Sequence, residues 1–81
     1  MKVYLVMNSY GYDGERGADT IGVFSNMVKA KQVFAQQVSW AKSDLEEDWD
    51  FEETDKAFWA EKRYHSSRNW NYIWIVEREV K

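Results

Sequence analysis

The amino-acid sequence predicts an α+β fold: a small antiparallel sheet of about four strands, ordered ββαββ, with one long amphipathic helix on one face. Three observations carry this. Residues 3–7 form an unbroken β-branched and aromatic run. Residues 27–45 repeat apolar side chains at steps of three or four, the period of a helix. Trp70, Tyr72, Trp74 and Val76 alternate with Asn71, Ile73, Ile75 and Glu77, the period of a strand. At 81 residues the chain is expected to form one domain, 1–81.

Taken in order, Val3-Tyr4-Leu5-Val6-Met7 reads as a central strand buried on both faces. Asn8 to Asp19 carries three glycines, two tyrosines and several polar residues, and reads as a long loop or hairpin connection. Thr20 to Phe24 is a second strand, antiparallel to the first because no crossover helix fits between them. Ser25 and Asn26 are N-cap types. They precede the stripe Met27, Ala30, Phe34, Val38, Ala41 and Leu45, widened by Val33 and Trp40. Lys29, Lys31, Gln32, Gln36 and Lys42 supply the wet side of a helix expected from about 27 to about 47.

Lys56 to His65 fits two readings. As a strand it pairs with 70–79 across a turn at Ser66–Asn69, and this is the favoured one. As a helix it is capped by Thr54 or Asp55, with Phe58, Lys62 and His65 on one side. The acidic stretch 44–55 reads as a solvated helix end and loop.

Composition narrows the chemistry. The absence of cysteine removes disulfides, thiolate metal sites and cysteine nucleophiles, and fits a reducing cytoplasm. Net charge is −3, with a pI near 5.1, which argues against a generic nucleic-acid binder. Charge is segregated: residues 44–55 hold eight of the fourteen acids and no base, so the remainder carries 11 bases and 6 acids. The opening residues lack the pattern of a signal peptide, and no apolar run approaches the ~20 residues that span a bilayer, so no membrane association is expected.

Motif tests exclude several sites. Gly11, Gly14 and Gly17 are spaced GxxGxxG, but a phosphate cradle needs a helix after the glycines and here a strand follows. A calcium loop starting at Asp48 fails, with Glu53 at position six and Trp59 at position twelve. His65, the single histidine, has serine neighbours that a strand would turn to opposite faces. No catalytic residues, metal ligands or cofactors are therefore expected.

Two surfaces remain. The first is acidic with apolar anchors: Asp44, Glu46, Glu47, Asp48, Trp49, Asp50, Phe51, Glu52 and Glu53. Spaced carboxylates of this kind would suit a basic channel on a larger protein. The second is aromatic and basic. One helix cannot hide fourteen rings, so some of Tyr4, Trp59, Tyr64, Trp70, Tyr72 and Trp74 must lie on the other sheet face or at an edge, unless the C-terminal hairpin folds over the sheet as a second small core. Arg63 and Arg68 beside Trp70, Tyr72 and Trp74 suit an interface hot spot or stacking of single-stranded bases.

Val3-Tyr4-Leu5-Val6 with Asn8-Ser9-Tyr10, then Ile21-Gly22-Val23-Phe24-Ser25, then Lys29-Ala30, resembles a group of small proteins of phages and mobile elements. Those proteins show a VYxV strand, a GVFS strand and a helix containing KA. The resemblance covers about the first 38 residues and implies an α+β core and a phage or prophage source. The C-terminal half departs from it, being longer and far richer in tryptophan.

The expected function is a non-enzymatic protein-binding module. With the resemblance, it becomes a phage-encoded antagonist of a bacterial defence complex, an anti-CRISPR-type inhibitor that occludes the basic surface of a larger host protein or nucleoprotein in the bacterial cytoplasm. The alternatives are a single-stranded nucleic-acid or nucleotide-binding module using the aromatic face, and a homodimer or larger homo-oligomer that buries that face against itself.

Overall fold

The computed structural model describes residues 1–12, 15–45, 49–63 and 68–80. Six elements follow in order: β1 (Lys2–Tyr12), β2 (Glu15–Phe24), α1 (Met27–Ser43), β3 (Asp50–Glu53), β4 (Ala57–Arg63) and β5 (Arg68–Glu79). The strands form one sheet in the order β2-β1-β5-β4-β3, with every neighbouring pair antiparallel. The α+β class and the antiparallel sheet with one helix on one face agree with the sequence reading. The strand count is five rather than four, and the order is ββαβββ.

Sequence periodicity explains α1 and the face it covers. Asn26 caps the helix: its extended backbone turns the side chain so that Oδ1 accepts the Lys29 amide at 2.8 Å. Ala30, Phe34 and Val38, one turn apart, are buried against Val6 of β1, Phe58 and Ala60 of β4 and Ile73 of β5. Tyr4, Ile21, Phe24, Val33, Ala41, Leu45, Trp49 and Ile75 pack around this core. Alternation along each strand sends Val6, Ile73, Ile75, Phe58 and Ala60 to the same side of the sheet, which is why one helix can bury them all.

Several expectations change. The helix ends at Ser43, with Asp44 as its C-cap, rather than near 47. Trp40 does not widen the buried stripe; it is 56% exposed. The proposed loop 8–19 is two strand arms: β1 and β2 stay paired out to Tyr12 opposite Glu15. Cross-strand aromatic rings cover Gly11 and Gly17, while Gly14 lies outside the described residues. A Cβ on Gly17 would lie 2.3 Å from Tyr10, its direct partner, so only glycine permits that approach. The acidic stretch is partly strand, since β3 pairs with β4 through four residues. The strand reading of 56–65 holds for Ala57–Arg63, while Tyr64, His65, Ser66 and Ser67 lie outside the described residues. Arg68 and Asn69, placed in a turn by the sequence, belong to β5 and pair with Arg63 and Lys62. The β4–β5 hairpin extends the sheet and does not fold over it as a second core. Finally, within 3–7 only Val6, on the helix side, is fully buried; Val3, Leu5 and Met7 on the other side are half-buried, and further along that side Gly11 is buried beneath the Trp70 ring.

The β3–β4 turn is fixed locally. Thr54 Oγ1 accepts the amides of Lys56 and Ala57 at 3.3 and 3.1 Å, and the Thr54 amide donates to the Ala57 carbonyl at 2.8 Å. Lys42 and Lys31 on α1 reach this region, meeting Glu53 at 2.9 Å and Asp55 at 3.4 Å. Both ion pairs are solvent-accessible, so each contributes at most about 1 kcal/mol.

On the helix-facing side, the Oδ1 atoms of Asn8 and Asn71 are buried with no hydrogen-bond partner. Unpaired buried carbonyls oppose folding. Two predictions follow from this packing, both read by urea unfolding. Phe34→Ala costs about 3–5 kcal/mol through the cavity it leaves, whereas Trp40→Ala changes stability by no more than about 0.5 kcal/mol. Asn71→Leu raises stability by about 1 kcal/mol, because it removes a desolvated and unpaired oxygen.

Candidate functional site

The strand register builds the second face of the sheet from rows of side chains. One row reads Arg16, Gly11, Trp70, Glu61 and Asp50 across β2, β1, β5, β4 and β3. The next reads Ala18, Ser9, Tyr72, Trp59 and Glu52, and the third Thr20, Met7, Trp74 and Ala57. Leu5, Val23 and Val76 continue the surface. These residues alternate with the core residues, so they point away from α1. Among the described residues no helix or strand packs on them.

The rings on this face lie close together. The Trp70 indole extends across β1 onto Gly11, where a Cβ would lie 2.4 Å from the ring. Gly11 therefore lets the indole lie flat on the sheet. Trp70 and Tyr72 have ring centres 6.4 Å apart. The guanidinium carbons of Arg68 and Arg16 lie 5.1 and 6.0 Å from the centre of the Trp70 ring, within cation–π range.

Glu61 ties this corner together. Its side chain is 10% exposed, and it accepts hydrogen bonds from Arg63 Nε at 2.7 Å and Arg68 Nη1 at 3.1 Å. The hydrogen bond from Arg63 holds the Glu61 carboxyl below the usual glutamate range; burial opposes this, and the two guanidinium charges add to it. The carboxylate thereby fixes Arg68 where it meets Trp70.

The two surfaces drawn from the sequence fare differently. Arg63, Arg68, Trp70, Tyr72 and Trp74 all come to the open face. Residues 44–53 are divided. Asp44 caps α1 and is exposed; Glu46, Glu47 and Asp48 lie outside the described residues. Strand alternation turns Asp50 and Glu52 to the open face, and Phe51 and Glu53 to the helix side. There Phe51 sits 6.2 Å from the Phe58 ring with Lys42 over it at 5.5 Å, and Glu53 pairs with Lys42. Trp49 packs on the core and lies 6.2 Å from Tyr12. Trp49 is thus engaged with the core, whereas Phe51 meets Phe58 and Lys42 but keeps about half of its surface exposed (49%). Burial first, and the Asp44 charge second, push the Tyr12 hydroxyl above the ordinary tyrosine value.

Of the residues that build the Trp70 corner and its neighbours, the sequence reading left Arg16, Trp59 and Glu61 out of its site. Arg16 sits in a stretch read as loop, so its position opposite Gly11 depended on an unseen register. Trp59 was signalled by its alternation with Phe58 and Ala60, both buried. A separate cleft of about 410 Å³ runs between α1 and the β3–β4 turn, floored by Phe34 and Val38. Its charged walls, Lys31 with Asp55 and Lys42 with Glu53, satisfy one another.

The Glu61 carboxyl gives a prediction with a definite sign. Its pKa is lower in the folded chain than in the unfolded one, so its stabilising effect is complete above the unfolded glutamate range. That effect is lost as pH falls through the folded value. An NMR titration is expected to place the Glu61 midpoint below that of an unstructured glutamate, and Glu61→Gln to flatten this part of the acid-unfolding curve. Comparison of the chain with protein-family models, with curated proteins and with solved structures finds no match.

Proposed function

We propose that this chain is a non-enzymatic protein-binding module whose docking surface is the open face of the sheet. The observation that carries the reading is the clustering of Trp59, Trp70, Tyr72 and Trp74 on one face away from the helix. Trp, Tyr and Arg are the residue types that carry most binding energy at protein interfaces. A contiguous apolar patch of this kind, rimmed by charge, is characteristic of interaction sites. Asp50 and Glu52 contribute an acidic rim on the β3 side, and Arg16, Arg63 and Arg68 a basic rim at the Trp70 corner.

In its sharper form the proposal is a phage-encoded antagonist acting in the cytoplasm of a bacterial host on a defence complex. Here the acids serve as the rim of the aromatic face and not as a separate site. The division of 44–53 between two faces favours this arrangement over a single acidic surface.

A second reading, binding of single-stranded nucleic acid, is favoured by one observation: two guanidinium groups lie beside a flat indole. Against it, Glu61, Asp50 and Glu52 share the face.

The test compares the wild-type chain with a Trp59→Ser/Trp74→Ser variant, each tagged and used to capture partners after its fold is checked by thermal melting. Loss of a stoichiometric protein partner by the variant supports the proposal. Equal retention by both overturns it. Quenching of tryptophan fluorescence by oligonucleotides at low salt, weakening as salt rises, would move the assignment to nucleic acid.

A further inference from the structure

We propose that the partner fitted by the open face is a second copy of this chain, related by a two-fold axis running along β5; this rests on the reading of that face as a protein-docking surface and replaces a host protein as its occupant. The sheet order makes β5 the middle strand. Rotation about it therefore lays β1 of one copy over β4 of the other, and β2 over β3.

The rows are self-complementary under that rotation. Arg16 on β2 comes opposite the partner's Asp50 on β3, pairing opposite charges at both ends of the row. Between β1 and β4, small residues meet large ones. Ser9 comes opposite Trp59 and Met7 opposite Ala57, while Gly11, covered by its own chain's Trp70 ring, comes opposite Glu61. Along the axis, Trp70, Tyr72 and Trp74 meet their own counterparts. An isologous interface requires this reciprocity, with i contacting j and j contacting i.

Packed sheets keep their strands within about 30°. This displaces the inner strands by only a few ångströms, and the long Arg16 side chain can take up the larger offset at the edge. The described rows extend roughly 25 Å along the strands and roughly 24 Å across five of them. A full rectangle would be roughly 600 Å² per copy, and because β3 reaches only the first two rows and β4 stops at the third, the overlap is below that, at or under the roughly 1,200 Å² total that marks the lower end of specific interfaces.

The experiment is sedimentation equilibrium of the full chain from micromolar to millimolar concentration. The wild type is expected to dimerise. Arg16→Asp and Asp50→Arg are each expected to weaken the dimer by roughly tenfold or more, and their combination to restore it. Circular dichroism and melting verify that each variant folds. Ala18→Lys, facing Glu52 across the axis, supplies an independent check, because it is expected to tighten the dimer.

A wild type that stays monomeric throughout overturns the proposal, as does a double variant no better than either single one. If the wild type is monomeric while Trp59→Ser/Trp74→Ser still abolishes capture of another protein, the docking face stands and the second copy falls. If neither experiment responds, both fall.

Discussion

A five-stranded sheet with one helix has one face covered and one left over, and this imbalance governs the molecule. The helix stripe of Ala30, Phe34 and Val38 reaches Val6, Phe58, Ala60 and Ile73, which makes the core small. Every alternate residue on the same strands is sent away from it. Where these were small polar side chains, the sheet would have a conventional wet face. Instead β5 places Trp70, Tyr72 and Trp74 there, and β4 adds Trp59. Trp70, Tyr72 and Trp74 are half-buried there and Trp59 is exposed, so this face carries an apolar surface that no described helix or strand covers.

The edges are managed differently from the face. β3 is four residues long and bears three carboxylates, which discourages pairing by another strand. β2 is longer, but a register shift between Val6 and Met7 interrupts its ladder, and Glu15, Arg16 and Asp19 charge its outer half. Edge-to-edge growth is therefore opposed while face-to-face contact is not. The Glu61 clamp fits this division: it neutralises part of the arginine charge at the Trp70 corner and leaves the indole as the main feature there.

Much of the fold was legible because it follows from local periodicity. The three-to-four spacing from Met27 onward specifies α1, and the alternation of Trp70 to Val76 specifies β5. What could not be read depended on partners distant in sequence. Gly11 and Gly17 weaken a strand when considered alone, yet each lies beneath a ring from across the ladder. β3 has no apolar alternation beyond Phe51; its strand state comes from the register with β4 and the contact with Phe58. The acidic run was visible as composition, but its division between faces required knowing that Asp50 starts a strand. The aromatic face was legible as a surplus of rings over what one helix can cover. Its location was not, because that needed the sheet order.

The pairing of β1 with β5 has a consequence for how the chain assembles. Ten consecutive register pairs, from Lys2 with Glu79 to Gly11 with Trp70, join strands from opposite ends of the sequence. The Val80 amide closes this seam on the Met1 carbonyl at 2.7 Å. The β1–β2 hairpin and α1 precede, in chain order, the strand on which both β1 and β4 lean. Closing so long a loop is entropically costly and slow relative to local structure. Until β5 joins, β1 therefore keeps one edge unpaired, and the sheet is completed only when that long-range pairing forms.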